Sequence, residues 1–443
     1  MKSKLLLLSL ALAGTPAFGA DLLQVYRDAL GFDAQFAAAR AALDAGRERL
    51  PQGRAGLLPT LSAGASTTWN EVDFARRQPE AAPVGANYNT NGWTVTLSQP
   101  LFRWQNFVAY GQAKLQVVAA EAQFAQARQE VVLRAAQAYF DVLLAQDSLN
   151  LAQAQKTAIA EQLEAAKRNF EVGTATIVDT HEAQSRYDLA TAQELAAQNE
   201  LEIKRQVLRQ VIGKVPERLS PLRADVQLRR PQPEDMAQWV DAAEQNSPLV
   251  AAQQAALEIA GDEVGRQRAG HYPTLDLVAT RGRSSATGSL VLGAVAPGSD
   301  THTTTVGLQL NVPLFAGGAV MSKEREAVAL REKAQADLEN ARRAAALGAR
   351  QAYLGVTSGM AQVKAYEQAL VSSQSALDSN KLGYEVGVRI NIDVLNAQQQ
   401  VFSTRRDLAR ARYDTLLAQL RLKSAAGSLG EDDVQAINAL LDK

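Results

Sequence analysis

The chain has 443 residues, with 46 Lys+Arg against 47 Asp+Glu, a formal charge of −1, three His and no Cys. A near-neutral balance without a basic block gives no footprint for nucleic acid, and the missing cysteines remove disulfides, thiolate metal sites, cysteine nucleophiles and a lipid-acceptor thiol together. His181, His271 and His302 are too widely spaced for a helical zinc pair, and about 80 alanines beside few aromatics point to long helices.

At the start, Lys2 and Lys4 precede an apolar run from Leu5 to Ala13 and small residues up to Ala20. This predicts a secretory signal peptide over 1–20, removed near Gly19 or Ala20, and the apolar run is too short to span a bilayer. No later run reaches about 18 apolar residues, so insertion into a membrane has to use strands.

The rest of the chain repeats itself. Arg54-Ala55-Gly56-Leu57-Leu58-Pro59-Thr60-Leu61 returns as Arg268-Ala269-Gly270-His271-Tyr272-Pro273-Thr274-Leu275, an offset of 268 − 54 = 214. Gln99-Pro100-Leu101-Phe102 returns as Val312-Pro313-Leu314-Phe315, Phe170-Glu171-Val172-Gly173 as Tyr384-Glu385-Val386-Gly387, and Gly213 as Gly427, all in nearly constant register. Two tandem halves follow, 21–213 and 236–427. A proline-rich connector lies between them at 214–235, and a tail follows at 428–443.

Each half opens with a helix, Asp33 to about Gln52 and Ser247 to about Gln267. A β-hairpin comes next, at 57–102 and 272–315. Leu61, Ala63, Ala65, Thr67 and Trp69 alternate with Ser62, Gly64, Ser66 and Thr68, while Trp93, Val95 and Leu97 alternate with Thr94, Thr96 and Ser98. In the second half Leu275, Leu277 and Ala279 share a face, as do Val306, Leu308, Leu310 and Val312. The Gly-, Asn- and Ser-bearing stretches 71–91 and 285–302 are expected as exposed loops.

At Pro-Leu-Phe the period changes, because proline leaves a ladder but can precede a helix. Neither Leu101–Val215 nor Leu314–Lys443 contains a proline. Ala113, Val117, Ala120, Phe124, Ala127 and Val131 recur every three or four residues, as do Ala327, Leu330, Ala334, Leu338 and Ala341. A helix from about 103 to 169 is roughly 100 Å long. Gly173 and Gly387 supply left-handed turns, and helices restart at Ile177-Val178-Asp179 and Ile390-Asn391-Ile392-Asp393. The halves therefore hold α-hairpins at 103–213 and 316–427.

Four amphipathic strands cannot close a barrel, and an open edge is not tolerated in lipid. A homotrimer giving twelve strands is the smallest assembly with a plausible channel. Trp69, Trp93, Phe102, Trp104, Tyr272 and Phe315 suit an interfacial girdle. The fold class expected is mixed α and β. No phosphate loop, nucleophile elbow or His-carboxylate cluster supports an enzyme, no cofactor is implied, and Ala316-Gly317-Gly318-Ala319 is an incomplete motif. The rival reading, a trimeric coiled-coil scaffold or adhesin in the periplasm or on the surface, leaves the strands and the repeated Pro-Leu-Phe unexplained.

The duplicated order of elements, with Phe-Glu-Val-Gly-Thr-Ala-Thr-Ile-Val-Asp at 170–179 and Tyr-Glu-Val-Gly-Val-Arg-Ile-Asn-Ile-Asp-Val-Leu-Asn-Ala-Gln at 384–398, resembles the TolC family of outer-membrane exit ducts, in its unlipidated branch. The resemblance covers essentially the whole mature chain. It implies a homotrimer with a twelve-stranded transmembrane β-barrel in outer-membrane lipid, continued by a long α-helical barrel through the periplasm. A periplasmic adaptor protein and an inner-membrane transporter of ABC or RND type would open it, for drug, metal or protein export. It also implies a gate latch at Asp179, Tyr384 and Arg389. Constriction carboxylates map to Asp393 and to Asn396, where this chain departs by being neutral. The turns Val172-Gly173-Thr174 and Val386-Gly387-Val388 would be the adaptor contacts.

Overall fold

The computed structural model describes residues 19–75, 77, 82–223, 225–291 and 294–442, so the expected signal peptide lies outside the described residues except for Gly19 and Ala20. In chain order the elements are α1 (Leu22–Phe32), α2 (Ala34–Arg47), α3 (Arg49–Ala55), β1 (Thr60–Phe74), β2 (Val84–Phe102), α4 (Trp104–Glu171), α5 (Ile177–Ile212), α6 (Met236–Asn246), α7 (Pro248–Arg268), β3 (Thr274–Val291), β4 (Ala294–Asn311), α8 (Ala319–Glu385), α9 (Asn391–Ala425) and α10 (Glu431–Asn438). The offset of 214 carries α1 onto α6, α5 onto the start of α9 and the end of α4 onto the end of α8. It also pairs Gly173 with Gly387 and Gly213 with Gly427, all four at φ between 73° and 80°. The chain divides into two compact units, one from Ala42–Ala122 and Ala252–Asn340, the other from Met1–Ala41, Gln123–Ala251 and Ala341–Lys443.

The first unit holds the sheet, antiparallel throughout in the order β1-β2-β3-β4, so the two hairpins join through β2 and β3 while β1 and β4 are its edges. Residues facing each other across a ladder share a side of the sheet. Leu61, Leu97, Ala279 and Val306 lie in one such row; Ser62, Thr96, Thr280 and Thr305 lie in the next, on the other side. One face is thus apolar and the other is lined with hydroxyls. The only charged residue on the hydroxyl face among the described strand positions is Asp276, whose carboxylate accepts from Arg103 Nε and Nη2 at 2.8 and 2.6 Å. This pair ties the start of the long helix to β3.

The strands run further than their alternation suggests: most of 71–91 and 285–302 is paired strand, not loop. Beyond the apolar band polar and apolar residues are mixed on both faces, so period two fades while the backbone ladder continues. Side chains such as Asn70, which donates to Thr90 Oγ1 at 3.1 Å, bridge the strands there. Pro297 sits in β4 without breaking a central ladder, because β4 is an edge.

The second unit is built from helices. Tyr139 and Phe140 of α4 are completely or almost completely buried and pack edge-on at 5.6 Å, and Phe140 meets Tyr413 of α9 at the same distance. Leu22, Val25 and Ala29 of α1, Leu208 of α5, Leu416 and Leu420 of α9, and Val434 and Ile437 of α10 complete this core. The connector is pinned by bridges from Leu219 to Ala20 and from Leu222 to Leu441. Asp33 separates α1 from α2: it accepts from the Phe36 amide at 2.7 Å and from Arg134 at 3.0 and 3.1 Å. Burial alone would raise this carboxyl, but the guanidinium and the helix-start amides hold it below the usual range.

Asp147 of α4 behaves oppositely. Burial pushes its carboxyl up, against the hydrogen bond donated by Tyr413 Oη at 2.8 Å. A raised acid favours its protonated form in the folded chain, so it contributes a penalty that grows as pH rises from the unfolded value through the folded one. Asp147→Asn keeps the acceptor and removes the charge. The variant is expected to melt above the parent at pH 7.5, and the gap should narrow toward pH 4 by at most about 1.4 kcal/mol per pH unit. Equal melting at both pH values would show that burial of this carboxylate costs nothing.

Candidate functional site

The two α-hairpin turns lie in the helical unit, joined by hydrogen bonds between the hairpins. In the first, Gly173 at φ 78° reverses the chain, and the Thr174 amide donates to Asn169 O at 2.8 Å. Helix α5 starts with a capping box: Asp179 Oδ2 accepts from the Thr176 amide at 2.9 Å and from Thr176 Oγ1 at 2.7 Å, while Thr176 Oγ1 accepts from the Asp179 amide. In the second, Gly387 at φ 80° turns the chain and the Val388 and Arg389 amides both donate to Gly383 O. Helix α9 starts at Ile390 without a side-chain cap, leaving Asp393 in its first turn. Cβ atoms at Gly173 and Gly387 would meet nothing within 4 Å.

Asp179 is thus engaged with its own helix start. Arg389 Nη1 lies 3.6 Å from Asp393 Oδ2, one turn along, with the arginine exposed and the carboxylate half-buried. Tyr384 Oη accepts from Asn169 Nδ2 at 3.2 Å. Of the residues the sequence nominates, the structure joins Arg389 to Asp393; Asp179 and Tyr384 are bonded to other partners. Val172, Val386 and Val388 are 73%, 64% and 76% exposed, and with Ile177 and Ile390 they make the turns apolar and open.

Sequence reasoning nominated Tyr384 and Asn396 but missed the partners Asn169, Gln162, Arg186 and Gln399 that stitch one hairpin to the other. Gln162 Nε2 donates to Asn391 Oδ1, Asn169 to Tyr384, and Arg186 Nη1 and Nη2 donate to Gln399 Oε1 at 2.7 Å and Asn396 Oδ1 at 2.8 Å. Beneath these bonds, Ile159, Leu163, Ala166, Ala183, Ala190 and Leu395 form a small core. The alanines allow close approach, so these long polar side chains reach across. Asn391 is fully buried, and its Nδ2 has no hydrogen-bond partner among the described residues. Within each hairpin, Lys156 meets Glu194 at 2.9 Å and Arg412 meets Glu367 at 2.8 Å.

No helix among the described residues is long and apolar enough to cross a membrane. No group of three or more His, Asp or Glu side chains that could hold a metal ion occurs among the described residues.

The family model described as outer membrane efflux protein matches residues 25–214 and 239–428, two matches that reproduce the repeat. The alkaline protease secretion protein AprF of Pseudomonas aeruginosa is 34% identical over 96% of this chain and 88% of its own length. The outer membrane protein TolC of Escherichia coli is 32% identical over 99% of this chain and 89% of its own. Among solved structures, the Campylobacter jejuni CmeC outer membrane channel superposes with a TM-score of 0.80 at 17% identity, covering 96% of this chain and 90% of that one.

Proposed function

The chain belongs to the outer membrane efflux protein family, and from that premise we propose that it is the exit duct of a tripartite efflux pump or a type I secretion system. Small molecules or proteins pass through it without being transformed. It sits in the outer membrane and extends into the periplasm.

One observation carries the reading: a four-stranded sheet, apolar on one side and hydroxyl-lined on the other, left open at β1 and β4. Such a sheet is stable in lipid only when its edges are paired. Pairing β1 of one copy with β4 of the next closes twelve strands in a homotrimer, with lipid outside and water inside. Trp69 and Phe315, 78% and 89% exposed, then stand in the bilayer interface. The open turns at Val172-Gly173-Thr174 and Val386-Gly387-Val388 receive a periplasmic adaptor that recruits an ABC or RND-type transporter.

In this reading the inner coils are the gate. Tyr384, Arg389 and Asp179 hold it shut through bonds that exchange on opening, and Asp393 forms a ring of three carboxylates beside a neutral Asn396 ring. The Arg389–Asp393 pair suits exchange, since a long, partly solvated ion pair is worth about 0–1 kcal/mol.

Single-channel recording in a planar bilayer tests the proposal. Small steps with a weak cation preference are expected, from a detergent-extracted trimer whose gel migration changes on heating. A water-soluble trimer that neither inserts nor conducts would leave the scaffold reading.

A further inference from the structure

Of the three connections that stitch the hairpins together near their turns, two are neutral, Asn169 to Tyr384 and Gln162 to Asn391. The third is not. Arg186 places both terminal guanidinium nitrogens, Nη1 and Nη2, on neutral amide oxygens, those of Gln399 and Asn396, and has no carboxylate partner among the described residues. Most arginines held this firmly answer a carboxylate, because two charge-assisted bonds compensate the lost hydration. Here the fork is satisfied by dipoles, and a full positive charge remains on α5 against the second turn of α9. Asp393 lies one turn before Asn396 and has Arg389 beside it at 3.6 Å. Around the expected constriction each chain thus sets Asp393 beside the guanidiniums of Arg389 and Arg186, while Asp179, the other carboxylate of the gate, is engaged in the capping box of α5. Glu182 and Asp188 flank Arg186 in sequence, but neither is bonded to it.

The sheet offers no competing source of charge selectivity. On its hydroxyl face the one carboxylate among the described strand positions, Asp276, is already neutralised by Arg103.

We propose that Arg186 is a positioning and specificity-determining residue of the inner end: it fastens α5 to α9 and offsets the Asp393 ring, so that the closed duct discriminates only weakly between cations and anions. This rests on the exit-duct reading and deepens it. The fastening is built from amides and a guanidinium, so protonating carboxylates does not undo it.

The test separates charge from fastening by recording reversal potentials and conductance of the full-length trimer in a potassium chloride gradient. Arg186→Gln removes the charge but retains an amide donor; its potassium-to-chloride permeability ratio is expected to rise about threefold over the parent. Arg186→Lys keeps the charge and loses the fork; it should retain the parent's selectivity and conduct in larger steps. Asn396→Asp gives the guanidinium a carboxylate, and should raise the ratio while reducing step size as the pair tightens. If parent trimers conduct and Arg186→Gln matches them in both readouts, the inference is wrong and the exit-duct reading stands. If neither the parent nor a variant with a broken latch conducts after verified insertion, the exit-duct reading fails and takes this inference with it.

Discussion

Channels carrying Tyr384→Phe with Arg389→Glu are expected to open in markedly larger steps than the parent. Phenylalanine removes the oxygen that accepts from Asn169 Nδ2, a loss of about 1 kcal/mol. Glutamate at 389 exchanges the pair with Asp393 for two like charges one helical turn apart, which costs a few tenths of a kcal/mol more. In a concerted trimer these losses multiply to roughly 4 kcal/mol, enough to move a gate that is open about once in a hundred to one that is mostly open. Tyr384→Phe alone isolates the hydrogen bond and should give the larger part. Folding is checked by helix content and heat-modifiable migration, since Tyr384 is half-buried at the end of α8 against Leu377, Val394 and Val401, and phenylalanine keeps that ring packing. Unchanged conductance in trimers that pass both checks would remove these residues from the gate.

Combining this variant with Arg186→Gln adds information. The Arg186 bonds reach the second turn of α9, one turn beyond Asp393, the partner of Arg389, so effects on closure add only if the two fastenings act separately. A combined effect much smaller than the sum would make them one network.

How much of this was legible depends on sequence distance. The repeat, the four strands, the proline-free helices and the four turn glycines follow from local pattern, and they are the parts governed by local physics. The stripe Leu22, Val25, Tyr26 and Ala29 of α1, with Asp21 accepting from the Gln24 amide, was readable as a helix but lay beside the signal peptide. In the tail, Val434, Ile437 and Leu441 bear the same signal behind three acidic residues that favour a helix start, so α10 was readable too. The site was less visible. Thr176 three residues before Asp179 is a capping-box spacing, and Arg389 four before Asp393 is an ion-pair spacing, both local. Arg186 and Asn396 are 210 positions apart, and only the packing of alanine-lined helices brings them together. Strand ends were misread where the alternation is lost, because alternation reports burial rather than pairing.

The left-handed glycines that end the long helices, Gly173, Gly213, Gly387 and Gly427, provide the second large effect, since they share a backbone angle and differ in what surrounds them. Replacing Gly387 by Ala leaves the new methyl in open space, so only the strain of a non-glycine residue at φ 80° remains, about 1 kcal/mol. Gly427, at φ 73°, closes α9 against the end of α6, and a methyl there would meet the carbonyl oxygen and carbon of Asn246. Backbone cannot move aside like a flexible side chain. Gly427→Ala must therefore shift α6 or unwind the last turn of α9, disturbing Trp239, Leu422 and Ala426, which pack together there. A loss of about 3–5 kcal/mol is expected, against about 1 kcal/mol at Gly387, in thermal unfolding of detergent-solubilised protein. Gly213 falls between them: the nearest atom to its methyl is Phe32 Cδ2 at 2.6 Å, on a ring 56% exposed and free to rotate away. The order Gly427, Gly213, Gly387 in decreasing cost is what steric surroundings dictate. Equal losses at the three sites would mean that backbone strain alone sets the cost, and that the packing of α9 on α6 contributes nothing to holding the helical unit together.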